Sequence, residues 1–465
     1  MGYRSLMANE TSILARFAAS LRFEALPEAV VRRAQALTLD LLGSATRARG
    51  EAAVAPSILA MLADLGLDGA GPATVIGDPR GYAPPIAALL NGAFGHALDF
   101  DDTHAPSSLH PSAPVVPAAL AAGEAVGASG QTVLAGIVAG YEVICRLGEA
   151  LDPTAHYARG FHPTATAGVF AAAAAAGRVL GLSSEQMIAA FGVAGSQAAG
   201  SLQFLRDGAW NKPWQVGAAV MNGVIAASLA ANGFKGAGEA IEGRHGLLAG
   251  YTDGARPERA IQGLGDEWKT LEIAVKPYPC CRYAHAALDA LIALRAGHGL
   301  VADSVRGVEI GLHRNGVALV GEPADDKRWP ANVVQGQFSM YFTGAVALAQ
   351  GRFGWDDYGR LGDPQIEALA GRIVVRRDEG LERGRPHPFG ASVRLVTDRG
   401  VFEREVADPS GEPQTFPDEA AQRSKFLALA EPVLGDGALR LAESIWRLET
   451  FARTAQALEA ARPAA

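Results

Sequence analysis

TATAGVFAAAAAAGRVLG, residues 164–181, decides how the rest of the chain is read. It is apolar enough to suggest a membrane span, but alanine is weakly hydrophobic, the run is short, and His162 and Arg178 lie beside or within it. A close-packed internal helix fits better, because small side chains let neighbouring helices approach. Working outward, the same texture fills residues 10 to 250. Pro27 stands at a first helical position before EAVVRRAQALTLDLLGSA, whose apolar residues recur three and four apart. AVAPSILAMLADLG, PPIAALLNGAFGHALDF, PVVPAALAAGEAVG and QTVLAGIVAGYEVICRLGEAL follow the same pattern. Ser183 and Gln186 have capping-box spacing, and Gly233 closes GAAVMNGVIAASLAANG.

Near residue 270 the period changes. LEIAVKPYPC starts with a strand-like run, and VRGVEIGLHR, GRIVVRRD and the pair SVRLVTDRG and VFEREVAD alternate like strands, the last two joined by a turn at Asp398–Gly400. YAHAALDALIALRA and NVVQGQFSMYFTGAVALAQG are the helices among them, and helices resume after the Pro/Gly-rich DPSGEPQTFP. The expected fold is mainly α: a large all-helical domain, 1–270 with 413–465, holding both chain ends, and a smaller α+β domain, 271–412. The C-terminal helices are expected to pack back on the first domain or on a second subunit.

The 465 residues, 49% hydrophobic and 19% charged, describe a globular chain too long for one ordinary core. A net charge of -8 excludes a broad basic field for nucleic acid but leaves room for a small anionic substrate. Three cysteines, Cys145, Cys280 and Cys281, do not make a disulfide framework. With no apolar signal core in MGYRSLMANETSILARF, a cytoplasmic setting is expected, with no membrane partner.

Chemistry concentrates in HALDFDDTH, residues 96–104. A helix continued to residue 103 would put His96, Asp99, Phe100 and Thr103 on one face, turn Asp101 away and leave Asp102 at the edge. A solvated helix end is the plainer alternative. No HExxH, CxxC or facial-triad spacing supports a metal, so none is expected. His110 and His162 each stand directly before a proline that opens an apolar helix, where backbone N–H groups and the positive helix end favour an anion. Lys212 and Lys276 are isolated cations in apolar surroundings, fit either for the surface or for a carboxylate. The KPYPCCRYAH turn adds Arg282 and His285, with Cys280 and Cys281 reading more readily as buried hydrophobes than as nucleophiles. No GxSxG, P-loop or dinucleotide fingerprint appears in its proper context.

Taken in order, LNGAFGHALDFDDTH, HPSAPVVPAALA, HPTATAGVFAAAAAAGRVLGLSSEQM, KPYPCCRYAHAALDA and FSMYFTGAVAL resemble the MmgE/PrpD family. That family includes 2-methylcitrate dehydratase, cis-aconitate decarboxylase and iminodisuccinate epimerase. The resemblance runs from about residue 10 to 450 and implies a helical domain with both chain ends, an α+β lid, a homodimer and no cofactor. It implies a cleft lined by Asp99, Thr103, His110, His162, Lys212 and Lys276, with Cys281, Arg282 and His285 nearby and Asp102 a further substrate contact. Lys212, Lys276 and Arg282 would meet substrate carboxylates, His162 would be the leading base or acid, His110 its partner, and Asp99 would orient a histidine or lysine. The implied reaction is proton removal beside a carboxylate on a small di- or tricarboxylic acid. Hydro-lyase ranks first, epimerase next and decarboxylase last. Hydro-lyase leads as the broad family default, and Cys281 and Gln215, where a histidine stands in the decarboxylase branch and in many members respectively, count against decarboxylation. A carboxylate-binding protein without turnover is the non-enzyme alternative.

Overall fold

In the computed structural model, which describes residues 9–463 apart from 207 and 383–387, the 164–181 stretch is an interior helix. Pro163–Thr166 leads through Ala167 into Gly168–Val179, and Arg178 is the one residue of the latter not buried. The start of MGYRSLMANETSILARF lies outside the described residues. The chain is mainly α, 61% helix and 9% strand, so packed helices and not sheets must place most of the chemistry. It divides into two compact units: one runs to Ala274 and resumes at Asp418, and the other is Val275–Pro417.

The first unit is built on Glu28–Glu51, Pro84–Ala97, Ser112–Val126, Gly130–Ala150, Gly168–Val179 and Asn211–Ala231. Asn211–Ala231 is the one helix among the described residues long and apolar enough to cross a membrane, and it lies against both Pro84–Ala97 and Gly168–Val179. Glycine permits this approach. A Cβ on Gly217 would stand 2.6 Å from the Leu89 carbonyl oxygen, and one on Gly223 would stand 2.4 Å from Ala172 Cβ. The close packing fixes the first turns of Asn211–Ala231, where Lys212 and Gln215 sit.

The C-terminal helix Glu419–Leu434 packs on Glu28–Glu51. Its Lys425 ammonium lies 2.6 Å from buried Asp40 and 2.9 Å from the Phe100 carbonyl, with the Phe100 ring beneath it at 3.8 Å. The returning segment therefore supports the loop that carries HALDFDDTH.

The second unit holds a four-stranded sheet in the order Ile373–Arg377, Val305–Leu312, Ala391–Thr397, Gly400–Val406. The first pair is parallel, with Ile310 opposite Val375, and the others are antiparallel, with Ile310 opposite Val393 and Thr397 opposite Gly400 at the hairpin. Alternate residues of Ala391–Thr397 are buried, the period-2 pattern of a strand with one covered face. His285–His298 and Met340–Gln350 pack with the sheet around one apolar core.

Two expectations fail locally. LEIAVKPYPC is not a strand: Lys269–Glu272 is a 3-10 turn, and Ala274 makes only an isolated bridge to Thr103. Pro277 and Pro279 donate no ladder hydrogen bond, which stops a strand from forming there. NVVQGQFSMYFTGAVALAQG is two helices, because the Ser339 hydroxyl caps Met340–Gln350 by accepting from Phe342 N–H at 3.0 Å.

Candidate active site

The Pro84–Ala97 helix does not reach residue 103. It stops at Ala97, and Asp99 takes φ 53°, a left-handed conformation that Asp tolerates better than most residues. The chain reverses, and the expected helical face is dismantled. Asp101, turned away under helical periodicity, becomes fully buried and central.

His96 Nδ1 lies 2.7 Å from Asp101 Oδ2, and His110 Nδ1 lies 3.3 Å from Asp101 Oδ1. The His96 ring meets that of His110 edge-on at 4.7 Å and stacks with that of His162 at 5.7 Å. His162 caps Pro163–Thr166, its N–H donates to the Gly200 carbonyl at 2.9 Å, and its Nδ1 lies 2.8 Å from the Gln215 amide nitrogen. The His110 N–H donates to Thr164 Oγ1 at 3.2 Å, tying the two His-Pro junctions together. Lys212 donates to Asp99 at 2.7 Å. Within the helical unit, Asp99, His110, His162 and Lys212 thus form one cluster with His96, Asp101 and Gln215.

The electrostatics are graded. Burial pushes the His96 imidazole down to about 4, outweighing the opposing pull of Asp101. Burial also holds His162 well below the ordinary histidine value, and the positive charge of neighbouring Lys212 adds to it. Both rings are therefore neutral near pH 7. Burial favours a neutral Asp101, yet His110 and His96 together hold it well below the usual carboxylate range. Burial likewise opposes the Lys212 charge, but Asp99 and Asp101 outweigh it and raise the ammonium's pKa. The result is a fixed anion and a fixed cation around neutral imidazoles. Access is graded too: the His110, Asp99 and Lys212 side chains are 15%, 16% and 27% exposed, with His96 and Asp101 closed off behind.

Asp102, expected as a substrate contact, is engaged by Ser112 instead. It is buried, accepts from the Ser112 N–H at 3.0 Å and from the Ser112 hydroxyl at 2.5 Å, and so caps Ser112–Val126. Ser112 continues to the Tyr141 hydroxyl at 2.6 Å. Thr103 pairs with Ala274 through both backbone groups at 2.8 Å, and its buried hydroxyl has no hydrogen-bond partner among the described residues.

The remaining residues expected at the site lie in the second unit. Lys276 is buried. Cys281 is buried and donates its N–H to the Gln337 carbonyl at 2.9 Å. Arg282 Nε donates to Glu412 at 2.9 Å, Nη2 reaches the same carboxylate oxygen, and the guanidinium covers the Phe389 ring at 4.9 Å. An arginine already committed to a buried carboxylate is a weaker anchor for a substrate than its sequence position suggested. His285 is buried with Nε2 3.1 Å from the Cys280 carbonyl, so that nitrogen carries a proton. All three cysteines are buried thiols.

Among the described residues, two groups have ligand atoms close enough to surround a cation: His96, Asp101 and His110, and His104, Glu149 and Glu272. In the second, the Lys269 ammonium already occupies that role, 2.9 Å from Glu149 and 3.1 Å from Glu272. In the first, His96 and Asp101 are hydrogen-bonded to each other, and Lys212 places a positive charge nearby. Neither donor set fits a resident metal well.

Residues 12–260 match the MmgE/PrpD N-terminal domain and residues 278–450 the MmgE/PrpD C-terminal domain. The chain is 29% identical to the cis-aconitate decarboxylase-like protein oryM of Aspergillus oryzae, over 97% of this chain and 96% of the relative. It is 28% identical to cis-aconitate decarboxylase of Aspergillus terreus, over 94% and 92%. Against the human cis-aconitate decarboxylase it is 32% identical over 48% of this chain and 47% of that protein. These relatives are enzymes of lyase type. With both domains matched in order across the two units, the chain belongs to the MmgE/PrpD family.

Proposed function

We propose that the protein is a cofactor-independent lyase that removes a proton beside a carboxylate of a small di- or tricarboxylic acid and expels water. The observation that carries this reading is the unequal pair of imidazoles. His162 is neutral against a neutral amide, and His110 is set against the Asp101 carboxylate. An elimination needs one group to take a proton and another to serve the departing hydroxyl, and two unlike imidazoles supply both. Lys212 adds a fixed positive charge for the enolate-like dianion, which is where electrostatic stabilisation counts most. Lys276 of the second unit is proposed as a further carboxylate partner.

Decarboxylation is the second reading, favoured by the names of the full-length relatives. It needs a proton donor at carbon more than a base, and this chain has Cys281 and Gln215 where the resemblance places histidines. Incubation in D2O with citrate, methylcitrate, aconitate, tartrate and aspartate-derived acids, followed by proton NMR and CO2 release, separates these outcomes. Deuterium exchange with loss of water supports dehydration, and CO2 release overturns it. Exchange with inversion alone identifies an epimerase. Tight binding without exchange identifies a binding protein.

We also propose a cytoplasmic homodimer formed through the helical unit. Trp210, Trp214, Leu229 and Phe234 are exposed along and beside the Asn211–Ala231 helix, apolar surface that association would cover. Light scattering that finds a monomer at micromolar concentration would overturn the dimer.

A further inference from the structure

We infer that Asp101 is the positioning residue of this site: by bridging His96 and His110 it holds a proton on Nδ1 of each and makes Nε2 of His110 the atom that carries the transferred proton. The inference rests on the proton-transfer reading above and deepens it by naming the imidazole that takes the charge.

The argument begins with unsatisfied atoms. Asp101 Oδ1 and His110 Nδ1 are both buried, 3.3 Å apart, and neither has a hydrogen-bond partner among the described residues. A carboxylate oxygen only accepts. A lone pair on His110 Nδ1 would therefore leave two buried acceptors facing each other, whereas a proton there makes the 3.3 Å contact attractive, though short of a full hydrogen bond in this geometry. The other carboxylate oxygen fixes His96 in the same way at 2.7 Å, again with the proton on Nδ1. Both imidazoles thus spend one nitrogen on Asp101.

What separates them is access. The His96 side chain is fully buried, and its Nε2 has no partner among the described residues, so a second proton there would be a buried charge without compensation. His110 is the partly exposed member. A second proton on its Nε2 makes an imidazolium whose far edge faces a carboxylate, the arrangement in which a carboxylate–histidine dyad stabilises the charged ring. His162 has no such support, since its Nδ1 meets only the Gln215 amide.

The charged and titratable groups around His110 are consistent with one charged imidazole at a time. Asp101 and His96 face it directly, His162 and Lys212 lie on the neighbouring helices, and Asp99 neutralises Lys212. Asp40 and Asp102 lie behind Asp101, where Lys425 and Ser112 engage them. In the step itself the substrate C–H bond breaks, the proton bonds to His110 Nε2, and the electron pair stays on carbon, delocalised into the adjacent carboxylate.

The test begins without substrate. In protein labelled with 15N-histidine, long-range proton–nitrogen correlation at neutral pH, assigned with His110→Gln, is expected to show the His110 proton on Nδ1. Finding it on Nε2 in the wild-type protein overturns the inference, whether or not the Asp101 variant folds. Asp101→Asn keeps the volume and removes the charge. It should lose the fixed Nδ1–H form, lower kcat roughly a hundredfold with little change in KM, and move the acid limb of the kcat/KM profile to lower pH. An Asp101→Asn protein that is merely less stable, with tautomer and pH profile unchanged, makes Asp101 a structural residue and overturns the inference. If the tautomer change appears while no carboxylic acid exchanges a proton in either protein, the placement of the proton stands and the lyase reading fails.

Discussion

The two polar turns of this chain, HALDFDDTH in the helical unit and KPYPCCRYAH in the α+β unit, look alike in the sequence and are put to different uses by the fold. Each packs carboxylates or cations with histidines against apolar segments. In the first, buried polar atoms are left over: Asp101 Oδ1, His96 Nε2, His110 Nδ1 and Thr103 Oγ1 lack hydrogen-bond partners among the described residues. In the second, Arg282 Nη1 is left over too, but the rest of the guanidinium is committed to Glu412 and His285 Nε2 to the Cys280 carbonyl. Leaving a buried polar group unmatched costs about 1–3 kcal/mol, so a cluster of such groups marks a place kept for something other than stability. Satisfied groups mark a place where folding is served first. A residue type in a promising motif is therefore not yet a site residue.

The largest expected effect sharpens this contrast on the catalytic side. His162→Ala should lower kcat by roughly two to four orders of magnitude while substrate affinity changes little, provided circular dichroism shows it folded. Near-normal turnover in the folded variant would reduce His162 to a helix-end residue. On the structural side, Arg282→Ala leaves Glu412 buried without its partner, which typically destabilises by about 3–5 kcal/mol. The measurement is chemical denaturation beside steady-state kinetics. If stability held and KM rose, Arg282 would be a substrate ligand and the contrast between the turns would collapse.

A smaller effect follows from protonation. The His96 value of about 4 in the folded protein lies below its ordinary 6.5, so as pH falls the unfolded chain takes the proton first. The stability at stake is complete above pH 6.5 and is lost progressively down to about 4, and the shift of His162 acts in the same direction. Hydrogen exchange between pH 7 and 4.5 should rise earlier in residues 96–110 than in the 391–406 hairpin. Equal onset in both would mean that the histidine cluster does not govern acid stability. Smallest of all, EDTA and dialysis should leave turnover unchanged, because the proposed electrophiles are lysines and helix ends. Loss of activity restored only by a divalent ion would recast His96, Asp101 and His110 as ligands.

Much of the architecture was legible before any coordinates. Helical periodicity with small residues over 164–181 implied an interior helix, and alternation at 391–406 implied the hairpin, because local side-chain period reports directly which face is buried. The His162 junction was legible as well, a proline opening a helix and fixing the histidine before it at the helix end, whereas Pro111 is itself the N-cap and His110 lies one residue further out. Asp101 was not. Its role depends on the left-handed Asp99, one residue whose φ reverses the chain and rotates every following side chain out of the helical register. Nor could Gln215 be tied to His162, or Asp102 to Ser112, since those partners meet only after helices distant in sequence have packed. The sequence by itself determined the chemical inventory and the elements that carry it, through local sterics and hydrophobic period. Which carboxylate serves the histidines, and which merely caps a helix, was decided by tertiary packing, because hydrogen-bond partnership is set by distances that no linear spacing encodes.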